Sequence, residues 1–340
     1  MNAVILAGGF GSRLSPLTDN LSKPMLQVAN VPMIDYAVSH LWSIGIRDYI
    51  FTLNYRPEDI IEWCIGYRGA VSRFSLESEP LGTLGGVKAV EEFLQDVFIV
   101  ASGDVIENIN LDAMLHKHFA SNADITMAVS EAADVSRFGV PELDAWGRVI
   151  GFIEKPLARQ SGFVNTGIYI VNKCVLADVP QDIKLDFAKD LFPTLAAKGT
   201  LYAYTHDGYW QDAGTLASYY HVNFDLLKGG FFNPAPNRFR TQSRLTATSE
   251  AFDLMSNSVA QSDSLIAAAA AVHGEVSRSI VGHESFVAAH ACITDCILLP
   301  GARVAAHHHG AIIGKGFTLP VKTSYDTQPS QMHQPFYPNF

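Results

Sequence analysis

The sequence predicts an α/β protein in which a mixed sheet flanked by helices precedes a small β-helix-like domain. Two patterns predict this organisation. Over the first two-thirds of the 340 residues, short apolar runs alternate with stretches of helical spacing, as in sheets whose strands are connected by helices. From about Val272 onwards, apolar residues recur every six positions with small residues between them, which is typical of a left-handed parallel β-helix.

The alternation can be followed along the first part of the chain. Strands are expected at residues 3–7, 49–53, 74–76, 97–101, 125–129, 149–154 and 163–171. Helices are expected at residues 33–44, 57–65, 85–93 and 111–121. Since ligands bind beyond the carboxyl ends of strands in such sheets, the residues after positions 7 and 101 are the first candidates for a site.

The composition changes after Lys228, where segments rich in Gly and Pro predict a linker. The apolar residues at six-residue spacing are Val281, Val287, Ile293 and Leu299. Four such repeats account for about one and a third coils, so we expect a short or degenerate β-helix, with ordinary strands of a small β domain as the alternative. The alanine run 267–271 is expected to form a short helix or a loop. The expected segments are a first domain at 1–228, a linker at 229–250, the β-helix-like domain at 251–325 and a tail at 326–340.

Composition and charge narrow the class of protein. The net charge of −10 argues against nonspecific binding to nucleic acid or to an anionic membrane. No apolar stretch reaches the roughly 18 residues of a membrane span, and the N-terminus lacks a signal-peptide pattern, so we expect the cytoplasm. The scattered cysteines are expected to be buried thiols in a reducing compartment. The histidines 307–309 would alternate between the faces of a strand, so we expect a solvated turn rather than a metal site.

A glycine-rich turn directly follows the first predicted strand. Gly8, Gly9 and Gly11 can adopt backbone conformations that side chains forbid, and they allow a ligand to approach the main chain. Successive N–H groups in such a turn form a concave site for anions. Arg13 and Lys23 add positive charge beside it. The turn therefore predicts a triphosphate site.

The spacing of this turn matches neither the P-loop nor the dinucleotide-binding loop, because the lysine of the former is absent and Leu14 replaces the third glycine of the latter. The string LAGGFGSRLSPLT at 6–18, followed by KPM at 23–25, instead resembles the signature of the sugar-1-phosphate nucleotidyltransferases. The resemblance covers about residues 1–225, with a weaker match to the family's C-terminal β-helix, and implies a Rossmann-like sheet. It implies nucleotide binding by Leu6, Ala7, Gly8, Gly9, Gly11, Ser12 and Arg13.

Two aspartates are candidates for a metal site. Asp104 follows the predicted strand at 97–101, and Asp212 lies in the string WQDAGT. Two carboxylates can hold one magnesium ion against phosphate oxygens. Both strings are similar to motifs whose aspartates hold the metal in the resembled family, so the resemblance assigns Mg²⁺ to Asp104 and Asp212.

Further motifs imply a sugar-phosphate site. The EKP string at 154–156 and the segment NTGIY at 165–169 resemble family motifs, and a glycine of the string RFGV lets sugar approach the main chain in that family. The resemblance therefore assigns sugar-phosphate binding to Gly103, Gly139, Glu154, Lys155, Asn165 and Thr166.

A second glycine turn, LGTLGG at 81–86, resembles the family's base-binding segment, although Leu84 replaces an alanine there. The resemblance assigns nucleotide binding to Glu77, Pro80, Gly82 and Thr83, with Gly82 against the base and Glu77 at the edge of the base. A carboxylate only accepts hydrogen bonds, and guanine offers N1–H and N2–H₂ side by side, so Glu77 favours guanine. The motifs are closest to mannose-1-phosphate guanylyltransferase-like members.

These residues predict transfer of a nucleotidyl group from a nucleoside triphosphate to a sugar 1-phosphate, with release of pyrophosphate. GTP and a manno-configured sugar are expected, and UTP or dTTP with glucose or an amino sugar is the alternative. A noncatalytic regulatory subunit would be expected to lack the arginine, a lysine or an aspartate, and a glycosyltransferase would be expected to carry Asp-x-Asp where Asp104 stands alone. A homo-oligomer formed through the C-terminal domain is also expected.

Overall fold

The computed structural model describes residues 1–66, 70–157, 160–228, 258–261 and 263–321. The predicted linker 229–250 and the predicted tail 326–340 lie outside the described residues. The chain divides into two compact units. The first comprises Met1–Phe10, Ala37–Cys64 and Gly69–Trp210, and the second comprises Gly11–Tyr36, Ile65–Arg68 and Gln211–Phe340. The contacts thus group residues 11–36 and those after 210 with the C-terminal strands, whereas the predicted boundary at 228 stays a prediction.

The described strands and helices are as follows. The strands are β1 Asn2–Leu6, β2 Gln27–Val28, β3 Val31–Pro32, β4 Asp48–Leu53, β5 Val71–Leu76, β6 Val97–Ser102, β7 Val105–Glu107, β8 Ile125–Ala132, β9 Gly139–Leu143, β10 Val149–Glu154, β11 Gly162–Asn172, β12 Leu201–His206, β13 Trp210–Asp212, β14 Ser258–Gln261, β15 Ser264–Ala267, β16 Ala271–Val272, β17 Glu275–Ser277, β18 Ile280–Val281, β19 Phe286–Val287, β20 Cys292–Leu298, β21 Arg303–Val304, β22 His308–Gly314 and β23 Phe317–Pro320. The α-helices are α1 Met33–Ser43, α2 Pro57–Ile65, α3 Gly82–Lys88, α4 Leu111–Ala120, α5 Phe192–Lys198 and α6 Leu216–Leu227. Single turns of 3₁₀- or π-helix occur at Ser12–Leu14, Lys23–Met25, Glu91–Phe93, Lys173–Leu176 and Phe187–Leu191.

The first unit is built on a seven-stranded sheet in the order β12-β8-β11-β6-β1-β4-β5. β11 runs antiparallel to both of its neighbours, and the remaining pairs are parallel, so the predicted mixed sheet is confirmed. Leu6 pairs with Thr52 on one side and with Ser102 on the other. The carboxyl ends of β1, β4 and β6 therefore lie at one edge of the sheet.

The core of this unit explains the helical spacing of apolar residues in the sequence. In α3, Leu84 and Val87 are buried against the sheet together with aromatic residues from the segment before β12. The ring of Tyr169 on β11 lies 5.2 Å from the rings of both Phe187 and Phe192. Large apolar side chains at helical spacing thus cover the sheet, which is the usual reason for such a pattern.

Several elements between the recognised motifs are not apparent from the sequence. Strands β9 and β12 and helices α5 and α6 were not predicted, and the helix expected at 85–93 is α3 followed by a separate 3₁₀ turn. Helix α6 has a clear start signal, since Thr215 and Ser218 form reciprocal capping hydrogen bonds. Thr215 belongs to the string WQDAGT, which was interpreted only as a metal-binding motif, so the start of α6 was not predicted.

The C-terminal strands stack in parallel coils. Leu265 pairs with Ile280, which pairs with Ile297, which in turn pairs with Ile312. Successive coils are therefore 15, 17 and 15 residues long, shorter than three full six-residue repeats. The stack contains more coils than the one and a third that were predicted. The extra coils were not apparent in the sequence, because shortened turns interrupt the six-residue spacing.

Two further sequence expectations in this region need correction. At the fourth six-residue position Leu298 is fully buried and Leu299 only half-buried, because the chain has shifted by one residue. The alanine run 267–271 forms no helix, and it is not a loop over its whole length. Its first residue, Ala267, ends β15, and its last, Ala271, begins β16. Antiparallel pairing closes the described stack at both ends, through β14 with β15 and β22 with β23.

The cysteines differ from the expectation of uniform burial. Cys64 and Cys296 are buried, whereas Cys174 is exposed and Cys292 is half-buried, and all four are free thiols. The expectation of a turn at 307–309 is wrong for two of the three histidines, because β22 begins at His308 and pairs with β20. His307, directly before this strand, accepts a hydrogen bond at Nδ1 from the N–H of Cys292. No helix in the described part of the chain is both long and apolar enough to cross a membrane.

His118 yields a prediction about stability and pH. It is buried between α4, β8 and β11, with Nδ1 3.0 Å from Thr126 Oγ1 and Nε2 3.1 Å from Asn172 Oδ1. Burial lowers the pKa of His118 below its ordinary value, so protonation favours the unfolded chain. Its stabilising contribution is present above about pH 6.5 and is lost as the pH falls.

We therefore expect the free energy of unfolding of the wild type to fall more steeply between pH 7 and pH 5 than that of a His118→Gln variant. Urea unfolding at several pH values measures both slopes. The other histidines are common to both proteins and cancel in the comparison. Parallel slopes would contradict the assignment to His118.

Candidate active site

In the first unit, hydrogen bonds extend the sheet one residue beyond three of its strands. The N–H of Ala7 donates to Thr52 O at 3.1 Å, and the N–H of Gly103 donates to Leu6 O at 3.0 Å. The N–H of Glu77 likewise donates to Leu53 O at 2.7 Å. The glycine turn, Asp104 and Glu77 thus leave the sheet at the same edge, as the sequence predicted for the first two.

The three glycines of the first turn have different reasons to be glycine. Of the three, only Gly11 has a positive φ, of 65°, and so uses the left-handed backbone region that glycine makes available. A Cβ atom on Gly8 would lie 3.3 Å from the backbone nitrogen of Asn54, which makes close packing its requirement. A Cβ on Gly9 would meet nothing within 4 Å. Gly9 therefore leaves its surroundings within this unit open for an approaching group.

Asp104 is held at the end of β6. The Ser102 hydroxyl donates a hydrogen bond to Asp104 Oδ1 at 2.6 Å. Between them, a Cβ atom on Gly103 would lie 3.3 Å from both Ile5 Cγ2 and Leu6 O. Gly103 thus lets the chain pass close to β1, and Ser102 fixes the carboxylate that follows.

Glu77 is held beyond β5 by three neighbours. The N–H of Leu81 donates to Glu77 Oε2 at 2.9 Å, and Asn54 Nδ2 donates to the backbone carbonyl of Glu77 at 2.7 Å. A Cβ on Gly86 would lie 2.6 Å from Glu77 Oε1, so the glycine gives the carboxylate room in this position. Burial raises the pKa of Glu77, and the bond from Leu81 acts in the opposite direction. The exposed Pro80 completes the turn between them.

The second glycine turn is packed against the segment before α5. Gly82 has a φ of 75°, and a Cβ on it would lie 2.5 Å from Leu185 O. The N–H groups of Leu84 and Gly85 both donate to this carbonyl. The Thr83 hydroxyl lies 3.3 Å from Asp186 Oδ1 and accepts a hydrogen bond from the N–H of Phe187 at 3.1 Å. Leu84 is fully buried, so the core accommodates the departure from the family pattern.

The predicted sugar-phosphate residues Gly139, Glu154 and Lys155 meet on the hairpin of β9 and β10. Gly139 pairs directly with Glu154 across the hairpin, and a Cβ on Gly139 would overlap the Phe152 ring. Lys155 has a φ of 51°, and its Nζ lies 2.9 Å from Glu154 Oε1. The Lys155 side chain is 62% exposed, so it presents its charge at the rim.

Asn165 and Thr166 lie at a bulge in β11, where the pairing with β8 is interrupted between Asn165 and Tyr169. Asn165 Nδ2 donates to the Tyr169 hydroxyl at 2.8 Å. The Thr166 hydroxyl is buried and donates to Ala128 O at 2.9 Å, which ties the bulge to the sheet. Trp210 Nε1 donates to Thr166 O at 3.2 Å, a support that the sequence reading missed.

In the second unit, the signature string forms a compact turn. Thr18 Oγ1 donates to Gly11 O at 2.9 Å, and the N–H of Leu14 donates to the same carbonyl at 2.8 Å. A Cβ on Gly11 would lie 3.0 Å from side-chain atoms of both Thr18 and Lys23. Ser12 and Arg13 are exposed at this turn.

The second unit also brings together two of the predicted site residues. Lys23 Nζ lies 3.3 Å from Asp212 Oδ1, with side-chain exposures of 9% and 18%. A Cβ on Gly214 would lie 2.6 Å from Asp212 Oδ2, so the glycine of the string WQDAGT makes room for the carboxylate. The predicted phosphate-binding lysine and a predicted metal ligand are therefore direct neighbours.

The segment after Lys23 is braced by α6 and by the coils. The hydroxyl of Tyr219 donates to Gln27 O at 2.5 Å, and the N–H of Ala29 donates to Asn223 Oδ1 at 2.8 Å. Asn30, at a φ of 63°, donates through Nδ2 to Val281 O at 3.1 Å. The Tyr220 hydroxyl donates to Asp295 O at 2.6 Å. These contacts had no signal in the sequence, because each depends on residues far apart in the chain.

The chain matches two families of known proteins. A family model described as nucleotidyl transferase matches residues 2–229, and one described as GlmU-like, C-terminal hexapeptide matches residues 249–337. The chain belongs to the nucleotidyl transferase family. It carries the hexapeptide repeats of a left-handed β-helix in its C-terminal part.

Named relatives agree with this assignment. Mannose-1-phosphate guanyltransferase of Yarrowia lipolytica is 37% identical over 221 residues, which are 63% of this chain and 61% of that protein. Mannose-1-phosphate guanylyltransferase of Mycobacterium tuberculosis is 32% identical over 69% of this chain and 67% of its own. The match thus spans about three-fifths to two-thirds of these relatives. The crystal structure of HddC from Yersinia pseudotuberculosis complexed with GMP-PN has a TM-score of 0.58 and 28% identity, and covers 66% of this chain and 99% of that one.

Two of the three glycines of the first turn, Gly9 and Gly11, allow a matched test of which backbone position requires glycine. In Gly11→Ala the new Cβ meets two side chains and the residue must keep a positive φ, so we expect the free energy of unfolding to fall by about 2 kcal/mol. In Gly9→Ala neither cost applies, and the change should stay within about 0.5 kcal/mol. Urea denaturation measures both. Equal effects of the two substitutions would contradict the role given to Gly11.

Proposed function

We propose that this protein transfers a guanylyl group from GTP to mannose 1-phosphate or a related manno-configured sugar 1-phosphate, producing GDP-sugar and pyrophosphate. Membership of the nucleotidyl transferase family supports the reaction type. The names of the relatives from Yarrowia lipolytica and Mycobacterium tuberculosis support the substrates.

The observation that carries the choice of base is the held carboxylate of Glu77. Its Oε2 accepts from Leu81, and its side chain lies against Gly86 at the carboxyl edge of the sheet. A carboxylate accepts hydrogen bonds from the N1–H and N2–H₂ groups of guanine, whereas uracil and thymine present an N3–H beside carbonyl oxygens that it repels. Pro80, Gly82 and Thr83 are assigned to the same base-binding segment.

The proposed reaction depends on positive charge and on alignment of the substrates more than on a general base. The attacking oxygen of the sugar phosphate is already anionic, so it can approach the α-phosphorus in line without losing a proton. Arg13, exposed at the first turn, is assigned to the negative charge that develops on the α-phosphate and on pyrophosphate. Lys23 is assigned to the α-phosphate, and Lys155 to the sugar phosphate.

The residues present fit a divalent cation. No cluster of three or more His, Cys, Asp or Glu side chains occurs among the described residues, but Mg²⁺ in such enzymes takes only one or two carboxylates and completes its shell with phosphate oxygens and water. Asp104 and Asp212 are the residues proposed to hold it. When bound, Mg²⁺ neutralises the negative charge of the phosphates.

The remaining candidate residues are assigned to the two substrates. The residues 6–9, 11 and 12 are assigned to the nucleotide, and Gly103, Gly139, Glu154, Asn165 and Thr166 to the sugar phosphate. We also propose a cytoplasmic location and a homo-oligomer formed through the C-terminal coils. A noncatalytic subunit is disfavoured, because the arginine, both lysines and both aspartates are retained.

A substrate panel tests the function. Four nucleoside triphosphates are each combined with mannose, glucose and N-acetylglucosamine 1-phosphates, and pyrophosphate release is measured. We expect GTP with mannose 1-phosphate to give the highest kcat/KM. Preference for UTP or dTTP would contradict the choice of base, and pyrophosphate release with none of the pairs would contradict the enzymatic function.

Glu77 can be tested with ITP, which lacks the N2 amino group of guanine. Loss of one hydrogen bond to a charged group costs about 1.5–3 kcal/mol, so the wild type should prefer GTP over ITP by about 10-fold or more in kcat/KM. In Glu77→Gln this preference should fall to near unity, because the amide cannot accept from both guanine donors. An unchanged ratio of the two kcat/KM values would remove Glu77 from base recognition.

Arg13 is tested by separating turnover from sugar binding. We expect Arg13→Ala to reduce kcat by about 10²–10³-fold, because a charge is lost where negative charge develops in the transition state. The KM for the sugar phosphate should change by less than about threefold. Comparable losses in both would contradict the role proposed for Arg13.

A further inference from the structure

The ion pair between Lys23 and Asp212 joins two groups to which the proposed function gives separate tasks. Their charged atoms lie 3.3 Å apart, and both side chains are largely shielded from solvent. An ammonium group and a divalent cation cannot approach the same carboxylate oxygen together at low cost, since like charges at such a distance repel strongly in a shielded site. The lysine and a metal ion therefore compete for Asp212.

The backbone on both sides holds this pair in place. Lys23 begins a 3₁₀ turn in which the N–H of Leu26 donates to its carbonyl at 3.1 Å. Asp212 lies two residues before Gly214, which gives its carboxylate room, and three residues before Thr215, the N-cap residue of α6. The two side chains thus face each other from ordered segments, so the contact is a property of the fold rather than a chance meeting of surface charges.

We propose that Lys23 acts as a resident cation that neutralises Asp212 until a divalent metal ion arrives with the nucleotide. Asp212 would then hold the metal ion, and the ammonium group of Lys23 would be free to contact the incoming phosphates. This inference rests on the proposed function, because that function makes Asp212 a metal ligand and Lys23 a phosphate contact. It adds that Lys23 opposes metal binding to the nucleotide-free protein.

Direct Mn²⁺ binding in the absence of nucleotide provides the test. Electron paramagnetic resonance titration of free Mn²⁺ gives the dissociation constant without any turnover. We expect Lys23→Met, which keeps the length of the side chain and removes its charge, to bind Mn²⁺ at least 10-fold more tightly than the wild type. In the same variant, GTP binding without metal should weaken.

The chain offers a matched control. Lys88 Nζ lies 2.6 Å from Glu91 Oε2, and its side chain is 8% exposed, close to the value for Lys23. Lys88→Met removes an equally shielded lysine from a carboxylate that has no proposed metal, so the Mn²⁺ affinity should match that of the wild type. A gain in Lys88→Met equal to that in Lys23→Met would overturn the proposal, because it would show a general effect of charge.

Further variants separate failure of this inference from failure of the metal assignment. Asp212→Asn and Asp104→Asn should each weaken Mn²⁺ binding, and Asp212→Asn should abolish the gain in the Lys23→Met background. If both aspartate variants weaken binding but Lys23→Met does not strengthen it, the competition is disproved and the metal ligands stand. If neither aspartate variant weakens binding, the metal assignment itself fails.

Thermal unfolding of each variant establishes that it is folded. Should Lys23→Met not fold, Lys23→Gln replaces it, because the amide can still donate to Asp212 without carrying charge. The same direction of change in Mn²⁺ affinity is expected, and its absence counts equally against the proposal.

Discussion

The parallel pairing of β1 with both β4 and β6 is the constraint on which the candidate site in the first unit depends. It aligns the ends of three strands, so that the glycine turn and Asp104 begin at the same edge. A slip of one residue would turn alternate side chains to the opposite face and separate these groups. The buried apolar residues of these strands oppose such a slip, which connects core packing directly to the arrangement of polar groups.

The sequence predicted the parts of this arrangement that are local. The strand before the glycine turn, the helix at Pro57–Ile65 and the position of Asp104 after a strand follow from short patterns. The glycine turn was predicted to combine backbone freedom with room for a ligand, and in the structure steric crowding explains Gly8, whereas only Gly11 of the three has a positive φ. The sequence shows that a residue is glycine. It does not show whether a side chain there would be opposed by steric crowding or by the φ angle of the backbone.

Contacts between distant segments could not be predicted in the same way. Lys23 and Asp212 are 189 residues apart, and although their motifs assign both to phosphate and metal binding, nothing in the sequence indicates that they form an ion pair. The bond from Asn30 to Val281 and the closure of α3 against Leu185 are equally invisible. Coil lengths of 15 and 17 residues blurred the hexapeptide rhythm for the same reason, since the shortened turns can be recognised only once the strands are stacked.

The hairpin of β22 and β23 has a consequence for assembly. A parallel coil exposes a row of backbone donors and acceptors on which another coil could form, and an endless solenoid would result if nothing interrupted the row. Here the chain reverses after Gly314, and the returning strand ends at Pro320, a residue without an N–H group. The described stack therefore ends in a hairpin rather than in an open parallel coil.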